Sequence, residues 1–340
     1  MVAYMVRRTL LAIITLWAVS FLSFLVIQLP DGDYIDIYIR NMQSEKGIRV
    51  TLNEEAELRE EWGLNQPMVI QYWDWISGIV FRADFGRSYS GGGKTSSSRT
   101  SNKTLLKDRI PFTIALTGFT IVFTWGLAIP IGIYSAVRQH SVGDYTFTFL
   151  GFTGLAVPDF LLGLVLMYIF LAYFHQSVGG IFSGEYQYAP WSFGKVVDLL
   201  QHMIIPAIVL GTSGTAGLIR IMRNNLLDEL EKPYVITARA KGQVEWKLIA
   251  KYPVRVAINP FISGIGSMLP GLVGGSVIVS IVLSLPTLGP IMLIALQSED
   301  QFLSGTIILM LGALTVVGVL ISDLLLVVVD PRIKLTGTGR

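Results

Sequence analysis

Six stretches of the chain are long and apolar enough to cross a bilayer as helices: residues 9–29, 112–137, 145–174, 203–222, 256–285 and 302–329. The first has 21 residues and no charge. As a helix it extends about 31 Å, which matches a hydrocarbon core of about 30 Å. The apolar region of a signal peptide has only about 7–15 residues and ends at a small-residue cleavage site. This run ends instead in IQLPDGD, so it reads as an uncleaved span. A tight polar link, 138–144, joins the second and third runs. The pattern predicts an all-α membrane protein with six transmembrane helices and both termini on one side.

Polar stretches interrupt the pattern at two places. In the long one, 31–109, residues 52–62 (LNEEAELREEW) predict a charged helix with Ala56, Leu58 and Trp62 as its apolar positions. Residues 69–80 then bring Tyr72, Trp73 and Trp75 close to the first and second spans, where amphipathic rings suit a membrane interface. Residues 88–102 turn to Ser, Gly and Lys, the composition of a flexible loop.

The second polar stretch, 223–255, is the longest charged insertion between the later spans. Pro233 is suited to a first helical position and Gly242 to a C-terminal cap, so 233–241 predicts a short helix of about 14 Å. A second amphipathic run, 244–252, places Val244, Leu248 and Tyr252 on one stripe beside Glu245, Lys247 and Lys251. Thr237, Ala238 and Ala240 are small enough to let the first helix press into a groove on a partner; a solvated loop is the other reading.

The fifth span is crowded with Gly264, Gly266, Pro270, Gly271, Gly274 and Gly275, which permits close helix approach and bending. This suits either a moving helix or simple tight packing. After it, Ser284 to Pro290 breaks the chain, and Ile291 to Leu296 is too short to span, the pattern of a re-entrant half-helix.

Composition agrees with the hydropathy pattern: 52% hydrophobic residues, 15% charged residues and a mean hydropathy of +0.57 exclude an ordinary soluble surface. A net charge of +2, with no basic patch, excludes a nucleic-acid partner. There is no cysteine, and His140, His175 and His202 are scattered without ligand spacing, so no metal centre is expected. Charge changes the picture through its placement. Arg7, Arg8, Arg138, eight Lys or Arg between 220 and 255, and Arg332, Lys334 and Arg340 fall on one face, whereas the short loops of the other hold only Lys195. Positive charge in short loops marks the cytoplasm, so both termini are expected there and 31–109 outside. The chain thus divides into an N-terminal span (1–30), an extracytoplasmic domain (31–109) with the loop 88–102, a five-span core (110–335) with the cytoplasmic loop 223–255, and a tail (336–340).

Candidate chemistry is sparse. SYSGGGKT (88–95) comes close to the phosphate-cradling pattern G-x-x-x-x-G-K-[ST], but Ser88 stands at the first glycine. Neither the preceding strand nor the following helix is present, and the loop lies on the side without ATP. No G-x-S-x-G or H-E-x-x-H occurs. Two ionisable residues lie inside spans, Asp159 after Pro158 and Asp323. Charge at membrane depth costs roughly 2.5–3.5 kcal/mol on insertion scales. Asp159 either caps a half-helix restarted after the Pro158 kink or faces a pathway.

Several stretches together resemble one family, the permease subunits of dipeptide and oligopeptide ABC importers. They are the opening MVRRTLLAIITLWAVSFLSFLVIQLPDGD, LREEWGLNQPMVIQYWDWISG and ADFGRSY, RIPFTIALT, GLAVPDFLLGL, YVITARAKG, GGSVIVSIVLSLPTLGPIM and DPRIKL. The insertion SGGGKTSSSRTSNKT is longer and more polar than the family's usual link. In the general importer pattern, EAA followed by three residues and Gly, Gly242 is the Gly and Ala238 the second Ala, while Ile236 and Thr237 replace the Glu and first Ala. The resulting TARAKG resembles the peptide branch.

The resemblance implies the type I ABC importer permease fold in the cell (inner) membrane. It also implies a second homologous permease subunit, two ATPase subunits that hold the ATP and Mg, and an extracytoplasmic solute-binding protein. No cofactor is expected in this chain itself. The ATPase contact maps to Tyr234, Thr237, Ala238, Arg239, Ala240, Lys241, Gly242 and Leu248. Asp159, Gly271, Gly274, Gly275, Ser276 and Pro286 are the candidates for the translocation pathway or gate. Peptides are the expected cargo, with oligosaccharides or metal chelates as alternatives; a stand-alone channel or an intramembrane hydrolase is the alternative of another class.

Overall fold

A computed structural model describes residues 2–28, 35–36, 39–40, 43, 50–61, 63–86, 101–175, 178–298 and 300–329. The phosphate-loop look-alike at 88–95, nearly all of the loop 88–102, Trp62 and the tail 336–340 lie outside the described residues. Among the described residues every regular element is a helix.

By compactness the chain forms two units, Met5–Phe112 with Thr287–Val316, and Met1–Tyr4 with Thr113–Pro286 and Val317–Arg340. The first of these units contains most of α1 (Val2–Ile27), then α2 (Leu52–Glu61), α3 (Met68–Arg82) and α4 (Asn102–Lys107). Helix α2 begins in a reciprocal cap: Thr51 N–H donates to Glu54 Oε2 at 2.8 Å and Glu54 N–H donates to Thr51 Oγ1 at 3.4 Å. Of the three aromatic residues expected near the spans, Tyr72 and Trp75 are buried against Phe24 of α1. Trp73 instead points outward, because a helix turns successive side chains by about 100° and only one face of α3 meets α1.

The other unit is built on α5 (Ile110–Val137), α6 (Val142–Ala156), α7 (Asp159–Phe174) and α8 (Phe193–Leu230). The buried face of α5 is largely a row of small and hydroxyl side chains, Thr113, Thr117, Thr120, Thr124, Ala128, Gly132 and Ser135, at steps of three or four. Val122 and Ile114 face outward, whereas Leu116 is buried. In lipid, helices associate by close packing of small residues, and this face allows it: Gly132 lies against Met222 of α8, and Gly211 of α8 lies against Phe123 and Thr124.

Among the described residues four helices are long and apolar enough to cross a membrane, and two further bent pairs bring the number to six if each pair is one span. The expected single span 145–174 is one such pair. α6 and α7 meet at 99°, because Pro158 holds the chain extended between them. The expected span 256–285 is likewise broken into α11 (Pro253–Ala257), α12 (Asn259–Ser263), α13 (Ile265–Gly275) and α14 (Val277–Val282), which follow α9 (Pro233–Ala240) and α10 (Glu245–Lys251). Pro253 and Pro260 open two of these pieces at their first turns. α15 (Leu288–Gln297) is the short apolar helix anticipated after the break, and α16 (Gln301–Val329) is the last. Gly266 of α13 and Gly318 of α16 meet backbone to backbone, leaving no room for a Cβ at either position.

Candidate functional site

The expected loop helix stands nearly where the sequence puts it. Pro233 opens α9, Lys241 ends it, and Gly242 turns the chain at φ +76°, a conformation that favours glycine. α9 and α10 close on a core of their own, formed by Val235, Leu248 and Ile249 with Tyr234, Ala238 and Tyr252 around them. Two polar ties stiffen the unit. The Tyr234 hydroxyl donates to the Glu229 carboxylate at the end of α8, and Arg239 Nε and Nη2 donate to Glu245 at 3.1 and 2.6 Å. The hydrogen bond from Arg239 holds the Glu245 carboxyl below its usual range, and Glu245 in turn raises the Arg239 guanidinium.

This geometry rearranges the expected stripe. Val244 caps α10 and is 56% exposed, so the inward row is Leu248 and Ile249. Leu248, at 0% exposure, is not on the outer surface of the loop. Thr237, Arg239, Ala240, Lys241 and Gly242 are exposed, while Tyr234 and Ala238 are half-buried. Two large apolar side chains that are not among the expected ATPase contacts join them outside, Ile236 at 55% and Trp246 at 67% exposure. The available signal was a tryptophan among charges: Lys247 Nζ sits 5.4 Å from the Trp246 ring centroid.

A second site lies in the same unit. A cavity of about 250 Å³ is lined by Ile121, Thr124, Asp159, Leu210, Ser213, Gly214, Met268, Gly271, Leu272 and Gly275. Three of the six candidate pathway residues, Asp159, Gly271 and Gly275, thus share one cavity although Asp159 is more than a hundred positions from the two glycines. Gly274, Ser276 and Pro286 are not among its lining. Ser276, between α13 and α14, is buried and its Oγ donates to Val273 O of α13 at 3.0 Å. The capping alternative for Asp159 does not hold: Pro158 occupies the N-cap of α7 with no side-chain cap hydrogen bond, and Asp159 lines the cavity together with Ser213 of α8. Ser213 and Thr124 had no sequence signal of their own, except that Thr124 belongs to the hydroxyl row of α5.

Comparison with known proteins supplies the context. Residues 128–335 match the family model described as binding-protein-dependent transport system inner membrane component, and residues 1–117 match that of its N-terminal region. The chain is 34% identical to the oligopeptide transport system permease protein AppB of Bacillus subtilis, over 98% of this chain and 100% of that one. It is 30% identical to the dipeptide transport system permease protein DppB of Escherichia coli K12, over 98% and 99% of the two chains. A solved structure of the MetNI methionine ABC transporter in an inward-facing conformation covers 67% of this chain and 97% of its own, at 16% identity and a TM-score of 0.49.

Proposed function

The chain belongs to the binding-protein-dependent transport system inner membrane component family, and from that premise we propose that it is a multi-pass permease subunit importing peptides by alternating access. In this reading a solute-binding protein delivers cargo to the extracytoplasmic segment 31–109. A second, homologous permease subunit completes the pathway with the five-span core 110–335, and two ATPase subunits, with their ATP and Mg, dock on the cytoplasmic loops, both termini lying on that side. The peptide cargo is argued from the names of the AppB and DppB relatives.

The observation that most supports the coupling part is the α9–α10 unit. It is stiff inside, with Val235 and Leu248 fully buried, and it offers Ile236, Thr237, Ala240, Gly242 and Trp246 outward. A loop that keeps its shape can pass the motion of a partner to the helices it connects. Two ATPase states differ in their affinity for nucleotide, and only that difference can shift the permease between its own two states.

The test is uptake of a labelled peptide into proteoliposomes holding the assembled importer. Uptake is expected only with the binding protein, both permeases, the ATPase subunits and ATP present. Passive flux through this chain alone would identify a channel, and cleavage of the peptide by this chain alone would identify a hydrolase; either result overturns the proposal.

A further inference from the structure

The cavity at the break between α6 and α7 holds one ionisable group and no counter-charge. Among the described residues that line it, Asp159 is acidic and none is Lys, Arg or His. Two other buried carboxylates of the same unit are matched. Asp144 is paired with Arg223, and Asp198 has His202 Nδ1 at 3.5 Å and accepts from the Ser183 N–H at 2.9 Å. Asp159 shares its cavity with the neutral hydroxyl of Ser213. A carboxylate offers about four acceptor positions on two oxygens, so one hydroxyl leaves most of that capacity unused.

We propose that Asp159 is the group of the translocation cavity that recognises a primary ammonium on the cargo, such as the free amino terminus of a peptide. This rests on the transport reading above and adds the chemical class of the group recognised. An ammonium carries three donors. The cavity presents one carboxylate and two hydroxyls, those of Thr124 and Ser213, as its side-chain oxygen acceptors. A calcium or magnesium ion is a poor fit, because it takes about six to eight oxygen ligands. The rest of the lining is apolar or glycine, which strengthens a charge pair formed inside it.

The glycines agree with an open cavity. A Cβ placed on Gly271 or Gly275 would meet nothing within 4 Å, so packing within this chain does not require glycine at either position. What an added side chain would occupy is the space of the cavity itself.

The experiment uses the assembled importer in proteoliposomes, with radiolabelled trialanine as the probe at a concentration saturating the binding protein. Asp159→Asn keeps the size while removing the charge. Asp159→Glu keeps the charge. The expected result is at least a tenfold loss of uptake in Asp159→Asn and less than a threefold loss in Asp159→Glu, with both complexes still assembled with their ATPase subunits. Full uptake by Asp159→Asn overturns the inference, and so does an equal loss in both variants, which would make shape rather than charge the requirement. Absence of uptake by the unmodified importer overturns the transport reading, and this inference with it.

Discussion

Arg223 of α8 grips Asp144 of α6 through two parallel hydrogen bonds, Nε to Oδ1 and Nη2 to Oδ2, each 3.1 Å. The Asp144 side chain is only 4% exposed, and its Oδ2 also accepts from the His140 N–H at 3.0 Å. The pair spans 79 residues of sequence and clamps the start of α6 to α8 seven residues before α8 ends at Leu230, where the loop helices begin.

Removing one partner of such a pair leaves the other buried and uncompensated, at a cost of roughly 3–5 kcal/mol. Arg223→Ala and Asp144→Ala are each expected to lower the thermal midpoint of the assembled complex markedly. Arg223→Met combined with Asp144→Leu is expected to recover most of the loss. A double variant as unstable as the sum of the single ones would show that the two side chains act independently.

Gly242 turns the chain out of α9 at φ +76°, where a Cβ costs roughly 1–2 kcal/mol. No neighbour stands within 4 Å of that Cβ, so the strain is in the backbone and not in a clash. Gly242→Val is therefore expected to reorient α10 against α9, lowering peptide uptake per ATP hydrolysed several-fold while the protein still inserts and folds. An unchanged ratio of uptake to hydrolysis would remove this turn from the coupling.

Trp246 is 67% exposed on a loop helix whose other large apolar side chains, Leu248 and Ile249, are buried. Tryptophan anchors at protein interfaces commonly cost about 2 kcal/mol or more on truncation. Trp246→Ala should therefore weaken association with the ATPase subunits at least about 30-fold, measured by titrating them onto the purified permease pair, without changing the permease's own melting temperature. Undiminished affinity would place the contact elsewhere on the loop.

The Arg239–Glu245 tie gives a prediction about pH. The hydrogen bond from Arg239 depresses the Glu245 carboxyl below its usual 4.5. The contribution of a depressed carboxylate is fully present above its unfolded value and is lost as pH falls through the lower folded value. Between about pH 6 and 8 this tie is therefore constant, and it weakens only in acid below the ordinary carboxylate range. Because the pair is exposed, it is worth less than about 1 kcal/mol and is screened by salt. Glu245→Gln should lower the midpoint of the loop's thermal transition slightly, by the same amount at pH 6 and pH 8. A difference that changes sign or vanishes within that range would contradict the assignment.

What the sequence determined by itself is local. Hydropathy located the apolar runs, because lipid requires about 20 apolar residues in one helix wherever the chain crosses. Pro233 and Gly242 bounded α9, since caps depend on residues adjacent in the chain, and the short apolar run after Pro290 became part of α15. Other features were decided by packing between distant segments. The sequence 145–174 reads as one span, yet the segments on either side of Pro158 form helices at 99° to each other. Helical periodicity placed Leu248 on an apolar stripe, but only the closure of α9 on α10 turned Leu248 and Ile249 inward and left Val244 and Trp246 outside. The pairing of Arg223 with Asp144, and the meeting of Asp159 with Ser213, Gly271 and Gly275, depend on how α6, α7, α8 and α13 pack. Charges and glycines carry no local mark of the partner they will meet, so those relationships exist only once the helices are in place.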